Sequence, residues 1–140
     1  MPTQPHSFTF RVRYAETDQM GSYYNARALE WFELGRSELS RAINVPYTEW
    51  ESKGVYLPLI EAYVRYQGRA KYDDLLEMTL HGESIGHTRL RFPVSIVHAE
   101  SRKPVCKGHT VHALVNKEGR PMRIPDWVRE LYPTADGEAH

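Results

Sequence analysis

The chain has a single cysteine, Cys106, in 140 residues. No internal disulfide can form and no zinc site built on several thiolates can exist, so a reducing cytoplasm is the expected setting. It also lacks an excess of either charge, with 18 Lys plus Arg against 18 Asp plus Glu. That removes the global field that would steer it onto nucleic acid or an anionic membrane. No apolar run approaches the roughly 20 residues of a membrane span. Met1 to His6 has neither the basic start nor the apolar stretch of an export signal. Gly-x-Ser-x-Gly elbows and glycine-rich phosphate loops are likewise missing, which argues against serine hydrolysis through such an elbow and against nucleotide-driven chemistry. Neutral charge leaves little self-repulsion and mildly favours self-association.

What is present fits an ordinary folded domain. At 41% apolar and 26% charged residues, the composition is that of a globular protein. The length suits one domain, 1–140, with an ordered core over about 8–131. Phe8, Phe10, Val12 and Tyr14 alternate with Thr9, Arg11 and Arg13, which predicts a strand over 8–14 with one buried face. Ala28, Trp31 or Phe32, Gly35, Leu39 and Ile43 recur every three or four residues, which predicts a long helix from about Tyr24 to Ile43. Pro46 ends it. Thr48-x-x-Glu51 has the form of a capping box, with Gly54 closing the short helix that it starts.

Extended segments follow over 55–66, around Leu76 to Leu80, around Leu90 to Ile96, and over 105–115. Pro93 suggests an edge strand or a bulge for the third of these. Pro125 can open a last short helix through Leu131, and the tail after Pro133 reads as frayed. The order, with no βαβ alternation, predicts an α+β fold: an antiparallel sheet of about five strands curled around one long helix.

Chemistry concentrates between the first strand and the long helix, in Tyr14-Ala15-Glu16-Thr17-Asp18-Gln19-Met20-Gly21-Ser22-Tyr23-Tyr24-Asn25. A helix start carries unpaired N–H groups and partial positive charge, able to hold a carboxylate or the oxyanion of an acyl transfer. Asp18 sits beside it, and Gly21 lets backbone approach a ligand closely. Read alone, the same residues equally suit a turn and a cap.

This segment resembles the signature of the 4-hydroxybenzoyl-CoA thioesterase branch of the hot-dog superfamily. Tyr14, Glu16, Thr17, Asp18, Gly21, Tyr24, Asn25 and Trp31-Phe32-Glu33 stand at matching positions. Gly54-Val55-Tyr56-Leu57-Pro58-Leu59, Val64-Arg65-Tyr66, Ala70-Lys71-Tyr72-Asp73-Asp74 and Gly119-Arg120-Pro121 resemble later segments in the same order. The resemblance implies a hot-dog acyl-CoA thioesterase that works without a cofactor. It further implies Asp18 as general base or nucleophile, and the Asn25 backbone N–H as oxyanion donor. Dimers, often paired into tetramers, with the active site at the dimer interface, are implied too. Gly21, Tyr24, Ala28, Glu61 and Lys71 are the candidate substrate contacts, and Arg69, Arg89 and Arg91 are looser candidates for the nucleotide end of CoA. Ala28 stands where many relatives carry tyrosine, and Ser22-Tyr23 where two small apolar residues are commoner. The room left at Ala28 leads to an expected preference for medium-chain or aromatic acyl groups over acetyl.

The remaining candidates read more simply as structure. Asp73-Asp74 suits a turn, Cys106 a small packed side chain, and Glu61 either a carboxylate near the acyl pocket or a strand-face residue. The seven histidines lack metal-ligand pairing; His109 and His112 fall on opposite faces of a strand. No histidine lies between Ser7 and Leu80, against a hydratase that relies on one near the helix. A binding module that holds acyl-CoA without cleaving it, and a thioesterase acting on acyl-carrier protein, remain as alternatives.

Overall fold

Residues 5–135 are described by a computed structural model. β1 (His6–Arg11) leads through a 3-10 turn (Tyr14–Glu16) to α1 (Arg27–Ala42) and α2 (Tyr47–Ser52). β2 (Leu59–Tyr66), β3 (Leu75–Leu80), β4 (Glu83–Ile85), β5 (Arg89–His98) and β6 (Pro104–Ala113) follow, and α3 (Asp126–Leu131) closes the chain. The sheet is antiparallel throughout in the order β1-β3-β5-β6-β2, with the short β4 also paired to β5. It is the hot-dog arrangement: α1 lies against β2, β3 and β6.

Period-two burial in the strands meets a helical stripe. Leu76, Met78 and Leu80 of β3 and Leu90, Phe92, Val94 and Ile96 of β5 point inward and are buried, as are Ala28, Trp31, Phe32 and Leu39 of α1. Each large apolar side chain so placed contributes about 1.5–3 kcal/mol. Gly35 is the point of closest approach, where an added Cβ would collide with the Met78 sulfur. Helix and sheet meet there because the residue has no side chain.

Several boundaries differ from the sequence expectation. β1 ends at Arg11 rather than residue 14, because Tyr14 enters the 3-10 turn. α1 starts at Arg27, three residues late, because the Arg27 and Ala28 N–H groups reach back three residues, to the Tyr24 (2.9 Å) and Asn25 (3.3 Å) carbonyls, as turn bonds rather than helical ones. Thr48 forms no capping box: α2 already begins at Tyr47, with Pro46 at its N-cap and no side-chain cap. Trp50 secures that helix instead, buried and donating its indole N–H to the Val45 carbonyl (3.1 Å).

Pro93 is neither in an edge strand nor at a bulge, the irregularity in the pairing of β5 with β6 lying between Ile96 and Val97. β5 is interior, between β3 and β6. Its neighbour on one side is interrupted between Leu80 of β3, which pairs with Val94, and Glu83 of β4, which pairs with Arg91. The Pro93 carbonyl accepts the His81 N–H across that break (3.4 Å). The proline nitrogen faces the same side, so its missing N–H removes no ladder bond.

β4 was not anticipated, being too short to show a period. The tail after Pro133 is tied at least as far as Thr134, which pairs with Ser84; residues 136–140, and Met1 to Gln4 at the other end, lie outside the described residues. Among the described residues no helix is long and apolar enough to cross a membrane.

Candidate active site

The segment from β1 to α1 folds into a small closed loop. Thr17 pairs with Tyr23 in an isolated antiparallel bridge, the Asp18 N–H donates to the Ser22 carbonyl (2.8 Å), and the Gly21 N–H donates to the Asp18 carbonyl (3.0 Å). Gly21 takes φ of 79°, a left-handed conformation that favours glycine. At the tip the Asp18 carboxylate is exposed and accepts the Met20 N–H on Oδ1 at 2.8 Å. Its Oδ2 accepts no hydrogen bond among the described residues.

Beneath the tip lies a buried anchor. Glu16, 5% exposed, accepts the Arg13 N–H (2.7 Å), the Arg13 guanidinium (3.2 Å) and the Trp31 indole N–H (2.9 Å). A buried carboxylate is tolerated because its oxygens are occupied by donors. Through Trp31 the loop is bolted to α1, and through the Tyr24 N–H to the Glu16 carbonyl it is bolted to the entry of that helix.

A second support comes from residues 66 to 70, far away in sequence. The Tyr66 hydroxyl donates to the Asn25 carbonyl (2.8 Å) and Arg69 to the Met20 carbonyl (2.9 Å). Ala70 accepts the Tyr23 N–H (2.9 Å) and donates its own to the Ser22 Oγ (3.3 Å). With the Asn25 carbonyl engaged, the N–H groups of Asn25 and Ala26 donate to no backbone carbonyl among the described residues. These are the orphan donors of a helix start, on the segment that follows Asp18.

The other expected site residues divide. Gly21 and Tyr24 belong to the loop, Tyr24 being half exposed. Ala28 is fully buried in the core of the protomer. Glu61 is exposed on β2, 4.0 Å from Arg89, which is the strand-face arrangement. Lys71 is exposed, and its backbone N–H donates to Asp74 (2.8 Å) in the turn before β3. Arg91 pairs with Glu83 (3.2 Å), so it too is engaged on the sheet. Sequence reasoning missed Tyr66 as a loop support and assigned Arg69 only to CoA; nothing local marks a residue whose partner is dozens of positions away.

Burial raises the Tyr23 hydroxyl pKa and pushes the Cys106 thiol up to about 12. Cys106 therefore stays a protonated, packed side chain rather than a nucleophile. Among the described residues no group of three or more His, Cys, Asp or Glu is placed to hold a metal ion.

Comparison with known proteins carries the reading further. The sequence model of the thioesterase-like superfamily matches residues 12–131. Over 101 residues the chain is 30% identical to the acyl-CoA thioester hydrolase YbgC of Escherichia coli, covering 72% of this chain and 75% of that protein. It is 26% identical to a 1,4-dihydroxy-2-naphthoyl-CoA hydrolase of Synechococcus elongatus over 89% of this chain and 95% of the relative. The crystal structure of a hypothetical protein from Aquifex aeolicus superposes with a TM-score of 0.83 at 28% identity, covering 90% of this chain and 98% of that one. The match spans the Asp18 loop, α1 and the strands of the sheet alike, and on that ground the chain belongs to the thioesterase-like superfamily as a hot-dog thioester hydrolase.

Proposed function

We propose that this protein hydrolyses acyl-CoA thioesters to the free acid and CoA, with Asp18 as the reacting carboxylate. The observation that carries the reading is the pairing of an exposed carboxylate, one oxygen of which is unoccupied, with the free N–H groups at Asn25 and Ala26 on the same braced loop. Asp18 takes a proton from water, or attacks the acyl carbon itself. The Asn25 N–H, at the positive end of α1, stabilises the oxyanion that forms on the carbonyl. On the first route the hydroxide adds to the carbonyl and the C–S bond breaks to give the acid. On the second the C–S bond breaks as an Asp18–acyl anhydride forms, and water then cleaves that anhydride to release the acid and restore the carboxylate. The departing thiolate of CoA takes up a proton in both. Relatives named for acyl-CoA and aryl-CoA hydrolysis support CoA as the carrier. A cytoplasmic setting accords with the single unpaired cysteine.

The working form is a homo-oligomer, a dimer or a tetramer made of two dimers. β2 is an edge strand of the sheet. Leu59, Ile60, Tyr63 and Tyr66 on it are each close to half exposed, an apolar edge that a second copy of the chain would cover. Gly21, Tyr24 and Lys71 remain the residues proposed to meet the substrate, and Glu61 joins them if the partner's loop reaches β2.

The decisive test is Asp18→Asn assayed on a panel of aliphatic and aromatic acyl-CoA thioesters and on acyl-carrier-protein substrates. Asparagine still accepts the Met20 N–H, so the melting temperature should hold within about 2 °C. Removal of base or nucleophile should cut kcat by about 10²–10⁴. A lowered melting temperature with near-normal kcat would reduce Asp18 to a turn residue. Wild-type protein that binds acyl-CoA without releasing thiol would make it a binding module instead.

A further inference from the structure

A cavity separate from the Asp18 loop lies inside the protomer, between the middle of α1, α2 and the inner face of β5 and β6. It encloses about 320 Å³. Its lining from α1 includes Glu33, Arg36 and Ser37, which begin six residues beyond the first residue of the helix, about 9 Å down its axis. The reacting loop stands at the N-terminal end of that helix.

Arg36 is the feature that packing does not explain. Its guanidinium is partly buried, and its pKa is lowered by that burial, with Glu33 and Tyr47 partly offsetting the effect. Yet it forms no ion pair among the described residues. One hydrogen bond is made, from Nη1 to the Thr110 Oγ1 at 3.3 Å. A guanidinium has five N–H donors, and those that the protein leaves unpaired on Arg36 stay open to the cavity, since the buried side-chain atoms without a partner among the described residues are Arg27 Nε and the Tyr132 hydroxyl.

His112, beside Arg36 in the lining, offers it no further acceptor. His112 is 3% exposed and neutral near pH 7, because burial holds its pKa at about 4. Both its nitrogens are engaged, Nδ1 with the Leu57 carbonyl (2.9 Å) and Nε2 with the Thr110 hydroxyl (3.0 Å). Since a carbonyl only accepts, Nδ1 carries the proton; Nε2 then accepts from Thr110, and Thr110 accepts from Arg36. The relay fixes the direction of every bond and leaves the free face of Arg36 turned to the cavity. Trp50 and Phe92 form apolar walls there.

From this arrangement we infer that the cavity is a binding site for a small monocarboxylate with an apolar body, its carboxylate held by Arg36 and its ring or short chain against Trp50 and Phe92. Arg36 is the one cation in the lining, and Glu33, whose charge already acts on it, leaves it able to take no more than one further negative charge. Glu33, at the rim, disfavours a dianion, and the phosphates of a nucleotide would need more cations than the single Arg36. The volume of about 320 Å³ is ample for a benzoate or an eight-carbon chain.

The test is titration of the intact protein with sodium benzoate and sodium octanoate, followed by calorimetry and by Trp50 fluorescence. Saturable binding of one ligand per protomer is expected, with Arg36→Gln weakening it by about tenfold to a hundredfold, the usual loss with a charge-assisted hydrogen bond. Benzyl alcohol, which keeps the ring but not the charge, should bind as weakly to wild type as benzoate does to Arg36→Gln. Ser37→Phe, which fills the cavity and keeps the guanidinium, should block binding on its own, so the outcome does not depend on how well Arg36→Gln folds. Asp18→Asn should bind as wild type does. Absence of saturable binding by wild type, equal binding by wild type and both cavity variants, or loss confined to Asp18→Asn would overturn the assignment, the last by placing the ligand at the reacting loop.

Discussion

The Trp31 indole N–H donates to Oε2 of Glu16 at 2.9 Å, with both residues buried. One bond therefore joins the long helix to the loop that carries Asp18, two residues after Glu16. Glu16→Gln should be the most damaging change in the loop outside Asp18. The amide can accept only on one side, and its NH2 would confront either Trp31 or Arg13. Breaking a buried, charge-assisted network costs about 2–4 kcal/mol, so the melting temperature should fall by roughly 6–15 °C. A thermal melt that moves by less than about 2 °C would show that the network is dispensable.

Tyr66→Phe separates positioning from chemistry. It deletes the hydroxyl that donates to the Asn25 carbonyl and leaves the ring in place. One neutral hydrogen bond is worth about 0.5–1.5 kcal/mol. If it holds the Asn25 N–H on the oxyanion, kcat should fall about threefold to tenfold with KM nearly unchanged. A change confined to KM would assign Tyr66 to substrate binding instead.

His112 gives the stability a calculable dependence on acid. Burial is the main cause of its fall from 6.5 to about 4, with Arg36 adding to it and the Leu57 hydrogen bond opposing it. The folded state thus binds the proton less well than the unfolded chain. The stability is fully present above about pH 6.5 and is lost as pH falls towards 4, to a total of about 3 kcal/mol. Chemical denaturation between pH 4 and 7 should show this slope in the wild type and a shallower one in His112→Asn. Parallel slopes would remove the assignment.

Gly108 links the edge strand to its neighbour. A Cβ at this position would overlap the Tyr63 carbonyl and approach the Val64 Cα at 3.1 Å, both on β2. Backbone cannot yield as a flexible side chain does, so Gly108→Ala should displace β2 at a cost of about 1–3 kcal/mol. If β2 is the contact between copies, the variant should also elute as a smaller species. Light scattering at micromolar concentration checks both parts, and an unchanged oligomer with an intact melt would contradict the role given to β2.

Much of the architecture was legible because periodicity is a local property. The alternation in β1, β3 and β5 and the three-to-four spacing of Ala28, Phe32, Gly35 and Leu39 state which face of each element is apolar, and the folded chain buries those faces. The Asp18 loop was legible too, since an acid and a glycine before a helix start are recorded in consecutive residues. Tertiary structure decided the rest. The segment 55–66 reads as extended with Ile60, Ala62, Val64 and Tyr66 on one face, but its sequence does not say how far that face is covered; β2 is largely exposed because strand order places it at the edge. Pro93 reads as an edge residue or a bulge, yet it sits inside the sheet at a gap left by two other strands. Tyr66 and Arg69 brace a loop more than 40 residues away, and Arg36, Thr110 and His112 meet only once α1 is laid against β6. A sequence pattern fixes the faces of an element, but the neighbours of those faces are chosen by long-range pairing, whose free energy is distributed over the whole sheet and written in no single segment.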